Sequence, residues 1–296
     1  MSILIYTVVS LCVLGVILAV VLYFVAQKFQ VHEDPRIEQV EGVLPGANCG
    51  ACGFPGCRGM AEALVSRDDI SELYCPVGGA ATMSAASTLL GKAAAEREPE
   101  VAVVRCGGCL VPRGDGSVVR ARLNVFDGAR SCAVEAATYA GDTGCSFGCL
   151  GNGDCVAVCA FDAIRMDPAT GLPTVDDEKC TACGKCVKAC PKLIIELRRK
   201  GPKSRRVFVS CVNKDKGGVA RKACEVACIG CGKCVKVCAF EAITVESNLA
   251  YIDPAKCKLC RKCVAECPTG AIVETNFPPR KPAEPSVEKP AETTEQ

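Results

Sequence analysis

An uncharged apolar run from Ile3 to Ala26 opens the chain, and no later stretch matches it in length. As a helix it would span roughly 36 Å, enough to cross the hydrocarbon core of a bilayer. Nothing basic precedes the run, it is longer than the apolar region of a leader peptide, and Phe24, Val25, Ala26 and Gln27 make a poor cleavage site. It therefore reads as a retained membrane anchor. Lys28 and Arg36 flank only its C-terminal end, which places the remainder on the cytoplasmic side of the cell (inner) membrane, as a single-pass protein. Cys12, inside the run, reads as a small apolar residue.

Beyond the anchor the patterning is weaker. Arg58 to Val65 reads as a helix, and the Ala-, Ser-, Glu- and Lys-rich stretch from Ala80 to Glu100 as a helical or flexible spacer. Apolar residues alternate between Ala242 and Asp253, which predicts a β-hairpin. From Asn276 onward Pro, Glu, Lys and Thr dominate, which predicts a disordered tail.

Cysteine changes the picture. The 296 residues include 26 cysteines, one histidine (His32) and no tryptophan. That density admits disulfides, structural zinc or iron–sulfur clusters. Thiols two residues apart in triplets cannot all reach distant partners with disulfide geometry, and zinc sites space their C-x2-C pairs more widely, often with His. Iron–sulfur is the reading the spacing favours, and a reducing cytoplasm suits it. The net charge of +2 lends nucleic-acid binding no support.

Cys257, Cys260, Cys263, Cys267 and Pro268 spell C-x2-C-x2-C-x3-C-P, the ligand run of bacterial-type ferredoxins. The run belongs to an internal repeat. A shift of 79 residues lays Cys132, Cys145, Cys149, Cys155 and Cys159 on Cys211, Cys224, Cys228, Cys234 and Cys238, and a shift of 77 lays Cys180, Cys183, Cys186 and Cys190 on Cys257, Cys260, Cys263 and Cys267. In two-cluster ferredoxins the fourth cysteine of each run crosses to the other cluster. The second copy then offers Cys228, Cys231, Cys234 and Cys267 for one [4Fe–4S] cluster and Cys257, Cys260, Cys263 and Cys238 for the other. The first offers Cys180, Cys183, Cys186 and Cys159. Its companion set is incomplete: Asn152 stands where the second copy has Cys231, leaving Cys149, Cys155 and Cys190. A three-iron cluster, a non-cysteine ligand or recruitment of Cys145 would each resolve this.

Upstream, Cys49, Cys52, Cys57 and Cys75 form a different group interleaved with Gly50, Gly53 and Gly56, for which zinc is the competing occupant. Cys106, Cys109, Cys132 and Cys145 could make a further set, which raises the count of [4Fe–4S] clusters from five to six. Cys211 and Cys224 have no assigned role. The basic residues between the copies, including Arg198, Arg199, Arg205 and Arg206, read as a solvated linker or as a docking patch for an acidic electron carrier. No G-x-G-x-x-G, P-loop or nucleophile–base constellation is present, so the chain moves electrons and has no catalytic residues of its own.

The anchor, then LPGANCGACGFPGC with a later Cys75, then ferredoxin repeats, resembles the B subunit of the Rnf electron transport complex, in an extended form with duplicated ferredoxin modules. The expected class is α+β: one N-terminal transmembrane helix (1–28), a four-cysteine Fe–S domain (35–80), a linker (81–104), two tandem bacterial-type 2[4Fe–4S] ferredoxin-like modules (105–195 and 223–274) joined by a basic linker (196–222), and a tail (275–296). The resemblance implies a subunit of an ion-transporting ferredoxin:NAD+ oxidoreductase that accepts electrons from soluble ferredoxin. Partner subunits would carry flavin, the NAD site and the path for Na+ or H+. A membrane polyferredoxin serving a hydrogenase or redox-sensor reductase is the alternative within electron transfer, and a zinc-binding adaptor the alternative outside it.

Overall fold

The computed structural model describes residues 2–28, 34–93, 97–112, 114 and 117–279. Helix α1 (Ser2–Lys28) is apolar on every side. Its Ile5–Lys28 portion has a mean hydropathy of 3.0 and none of it is buried against the protein. An all-round apolar helix with no protein partner has the character of a membrane span.

Three helices build the first small domain: α2 (Pro35–Val43), α3 (Cys57–Ser66) and α4 (Gly79–Leu90). Asp34 caps α2 through the Arg36 N–H, with Pro35 at the first helical position. Met60, Ala61, Ala63 and Leu64 bury one face of α3 against Val40, Leu44, Ile70, Leu73 and Met83. The Lys92 ammonium donates to the carbonyls of Leu64, Val65 and Arg67, closing the C-terminal end of α3.

Among the described residues the strands form four antiparallel pairs. In the first module β1 (Glu100–Val104) pairs with β4 (Ile195–Arg199), and β2 (Ile164–Met166) with β3 (Pro173–Val175). In the second, β5 (Arg206–Val209) pairs with β8 (Ile272–Thr275), and β6 (Ile243–Glu246) with β7 (Leu249–Ile252). The hairpin expected at 242–253 is β6–β7. Its two turn residues, Ser247 and Asn248, both have positive φ, the geometry that matches strand twist. Short helices complete the modules: α5 (Cys132–Thr138), α6 (Asp154–Ala157) and α7 (Lys185–Ala189), then α8 (Gly217–Ala223), α9 (Lys233–Lys236) and α10 (Lys262–Ala265).

The period-two geometry of β1 divides its side chains between two cores. Ala102 faces the first module's interior, while Val101 and Val103 pack with Phe208 of β5, so the two modules meet through their terminal strand pairs.

Three expectations change here. The segment 81–104 ends in β1, which pairs with a strand some ninety residues on and belongs to the first module. The basic segment 196–222 is not a solvated linker, nor a free docking patch at two of its arginines. Arg198 is 2% exposed and Arg206 6%. Arg198 pairs with Glu196 and donates to the Ile252 carbonyl; Arg206 pairs with Asp177. Lastly, Asn276 donates to Asp177 and Ser204, and Phe277 lies under Arg205 and Arg261, so the tail begins docked. Residues 280–296 lie outside the described residues.

Candidate metal centres

Each cysteine loop of the two modules ends in a left-handed residue followed by a short helix. Gly153 precedes α6, Gly184 precedes α7, Gly232 precedes α9 and Arg261 precedes α10. The reversal folds the loop back so that thiols at i, i+3 and i+6 face one centre. Arg261 takes this conformation without glycine's freedom, and its side chain is anchored by ion pairing to Glu274.

In the second module Cys238, Cys257, Cys260 and Cys263 line one cavity. Cys228, Cys231 and Cys267 are the electrostatic neighbours of Cys234. In the first module Cys159, Cys180, Cys183 and Cys186 line a cavity, and in the N-terminal domain Cys49, Cys52, Cys57 and Cys75 line another. Backbone N–H groups point at the sulfurs: Ala163 at Cys159, Ala102 at Cys180, Ala250 at Cys228 and Gly78 at Cys75, all at 3.4–3.5 Å. Such donors stabilise sulfur-borne negative charge.

The incomplete set gains a thiol that the linear repeat did not suggest. Cys132 lines the cavity of Cys149, Cys155 and Cys190, whereas Cys145 lies in a different cavity. Asn152, in the place of the absent cysteine, turns its amide to the buried Glu135 of α5. The same α5 begins at Cys132, and Asp154 holds that end by accepting from the Cys132 N–H (2.9 Å), the Ala133 N–H (3.1 Å) and the Ser131 hydroxyl (2.9 Å). Helix α5 thus brings in both the replacement thiol and a partner for the residue that displaced it. Asp154→Ala is expected to cost about 1–2 kcal/mol, the worth of a lost helix cap. It should also speed loss of this one centre's iron to a chelator while the other centres keep theirs.

Cys106, Cys109, Cys132 and Cys145 are not brought together. Cys106 and Cys145 line a cavity with Cys211 and Cys224, Cys132 is at the Asn152 site, and Cys109 packs against the second module's core.

The donor sets suit a cluster. Among the described residues no three or more His, Cys, Asp or Glu side chains converge closely enough to hold a single metal ion. Instead, thiols gather four at a time around small cavities. Zinc draws its ligands to about 2.3 Å of one point, while a four-iron cluster needs them held apart around a larger body. Burial pushes the thiols upward: Cys155 and Cys263 to about 12, and Cys186, Cys211, Cys224 and Cys234 to about 11. Without metal these groups stay protonated at neutral pH, so a metal bound at any of them would have to displace a proton there.

Comparison with known proteins agrees with this geometry. A family model described as "Putative Fe-S cluster" matches residues 44–76, and one described as "4Fe-4S dicluster domain" matches 145–194 and 227–271. The B subunit of the Na(+)-translocating ferredoxin:NAD(+) oxidoreductase complex of Acetobacterium woodii is 46% identical over 260 residues, covering 88% of this chain and 74% of that protein. Its proton-translocating counterpart from Clostridium ljungdahlii is 42% identical, covering 92% and 93%. The B subunit of the ion-translocating oxidoreductase complex of Methanosarcina acetivorans is 40% identical, covering 92% and 98%.

Proposed function

The chain belongs to the B-subunit family of ion-translocating ferredoxin:NAD+ oxidoreductase complexes, and from that premise we propose that it is the complex's intake wire. In this reading it accepts electrons from reduced soluble ferredoxin and relays them towards partner subunits that carry flavin and reduce NAD+, with Na+ or H+ translocation coupled to the transfer. The observation that carries the proposal is a recurring grouping of four thiols: four sets line cavities between Cys49 and Cys263, and Cys228, Cys231 and Cys267 neighbour Cys234 as a fifth.

The thiols would hold [4Fe–4S] clusters, which supply one-electron redox chemistry when bound. The N-terminal set would use Cys49, Cys52, Cys57 and Cys75. The first module would use Cys132, Cys149, Cys155 and Cys190, then Cys159, Cys180, Cys183 and Cys186. The second would use Cys228, Cys231, Cys234 and Cys267, then Cys238, Cys257, Cys260 and Cys263. The chain's own contribution is to keep water from the buried sulfurs, aim N–H groups at them and fix the order of the centres. Cys231 and Cys260 are exposed, so the second module offers a surface at which a redox partner can approach. Helix α1 would anchor the chain, with the cysteine domains on the cytoplasmic side.

The test uses the full chain purified anaerobically in detergent. Reduced ferredoxin is expected to bleach its visible absorbance, and affinity capture from solubilised membranes should recover flavin- and NAD-binding subunits. Absence of iron and sulfide, or recovery with a hydrogenase instead, would refute the proposal.

A further inference from the structure

Arg198 and Arg206 are buried, but a second set of basic side chains further along the chain is not. Lys214, Lys216 and Lys222 are exposed, as are Lys233 and Lys236 just beyond the exposed Cys231. Lys216, Val219 and Lys222 recur at three-residue steps along α8 and its N-terminal flank, with Val219 56% exposed between the two cations.

Backbone contacts gather these residues around Cys231. The start of α8 lies so close to the cysteine loop that a Cβ on Gly217 would stand 2.5 Å from the Ile229 carbonyl oxygen. One on Gly230 would stand 2.7 Å from that of Asn248, whose side-chain amide donates to the Lys214 carbonyl at 3.2 Å. The segment from Lys214 to Gly217, the loop carrying Cys231 and the tip of the β6–β7 hairpin therefore make one continuous surface. Its exposed lysines outnumber its carboxylates, the half-buried Asp215 and the exposed Glu225 and Glu246.

The first module does not present this face. Asn152 replaces Cys231 there and gives its amide to the buried Glu135, while Asp154 replaces Lys233 and caps α5. The side of the second module at Cys260, the other exposed cluster-loop thiol, is different again. Arg261 beside it is tied to Glu274 and lies over Phe277, and Lys256 and Lys262 have counterparts in the first module, Lys179 and Lys185. An uncovered positive surface around an exposed thiol is thus peculiar to the Cys231 side. Mobile cations about a small apolar centre steer and seat a protein of opposite charge.

We propose that an acidic one-electron carrier protein docks on the face formed by Lys214, Lys216, Val219, Lys222, Lys233 and Lys236, and that Cys231 marks the point of electron entry. This rests on the intake reading above and adds to it the place of docking and the charge of the partner. One electron passes from the reduced carrier to the centre behind Cys231, and no bond forms or breaks.

The test presents the full chain, purified anaerobically in detergent, with an oxidised bacterial-type ferredoxin of net negative charge, and follows association by biolayer interferometry. Wild-type association is expected to slow as salt rises from about 50 to about 300 mM, because screening weakens the steering. Lys214→Glu/Lys216→Glu/Lys233→Glu should associate at least about tenfold more slowly at the lower salt and lose that salt dependence. Lys256→Glu/Lys258→Glu/Lys262→Glu, an equal change of charge beside Cys260, should stay within about twofold of wild type. Both variants should keep their iron, since the altered side chains are exposed. Unchanged association in the first variant, equal slowing in both, or slowing confined to the second would overturn the proposal. If the first variant kept its ferredoxin kinetics but no longer recovered partner subunits from solubilised membranes, the face would be a subunit interface and the proposal would fall. In all these cases reduced ferredoxin still bleaches the wild-type chain; absence of bleaching would overturn the intake reading itself.

Discussion

Cys132→Ala is expected to disable one centre of the first module, and adding Asn152→Cys to the same chain is expected to restore it. The single variant leaves Cys149, Cys155 and Cys190, three thiols where four-iron clusters take four, so between about one and four irons per chain should be lost. The rescue follows from the repeat. Asn152 occupies the position of Cys231, and the residues after them, Gly153 and Gly232, share a left-handed conformation, with φ of 83° and 71°. A thiol at 152 would thus start from a backbone already shaped for ligation. Iron and sulfide analysis with EPR of the reduced protein reads the outcome. If Cys145→Ala produced this phenotype, or if Asn152→Cys failed to restore the iron, Cys132 would not be the fourth ligand.

Arg198→Ala is expected to destabilise the joined modules by about 3–5 kcal/mol, the cost of breaking a buried ion pair from one side. The guanidinium lies on β4 yet donates 3.0 Å to the Ile252 carbonyl of β7, pairs with Glu196, and stacks 5.0 Å from Tyr251 and 5.8 Å from Phe208. Alanine removes all of these contacts and leaves a buried carbonyl unpaired. Glu196 keeps Arg105 as a partner at 3.1 Å, which holds the effect towards the lower end. A loss of that size lowers the midpoint of thermal unfolding by roughly 6–20 °C for a body of this length, followed by far-UV circular dichroism on the anaerobic protein. Arg198→Met, which keeps apolar volume, should be milder. An unchanged midpoint with altered salt dependence of reduction by ferredoxin would instead favour the docking patch.

Much of the candidate chemistry was legible in the sequence because cluster loops are local. Three thiols at i, i+3 and i+6 reach one centre through a single tight loop, so Cys180 to Cys186 and Cys257 to Cys263 announce themselves without knowledge of the rest of the fold. The crossover partners Cys159 and Cys238 were legible through the spacing of a familiar unit, and the resemblance to the Rnf B-subunit family rested on the same local words. The β6–β7 hairpin was equally visible, since its register depends on two turn residues.

What escaped the sequence was non-local. Nothing near residue 132 indicates that α5 folds back onto Cys149, because a hydrogen bond from Cys132 to Asp154 and another from Asn152 to Glu135 set that placement. Likewise the basic stretch around Arg198 and Arg206 has a solvated composition, and only the meeting of the two modules buries it beside Glu196 and Asp177.

The sequence alone therefore determined the iron–sulfur class, the long apolar N-terminal helix and the two-copy plan, since each is written in spacings of a few residues or in one continuous apolar run. The tertiary structure decided which distant thiols share a cavity. Cys106 and Cys224 lie far apart in the chain, and the ends of β1 and β5 are brought together by the packing of Val101 and Val103 against Phe208 and by the bonds from Arg105 to the Val209 and Cys211 carbonyls.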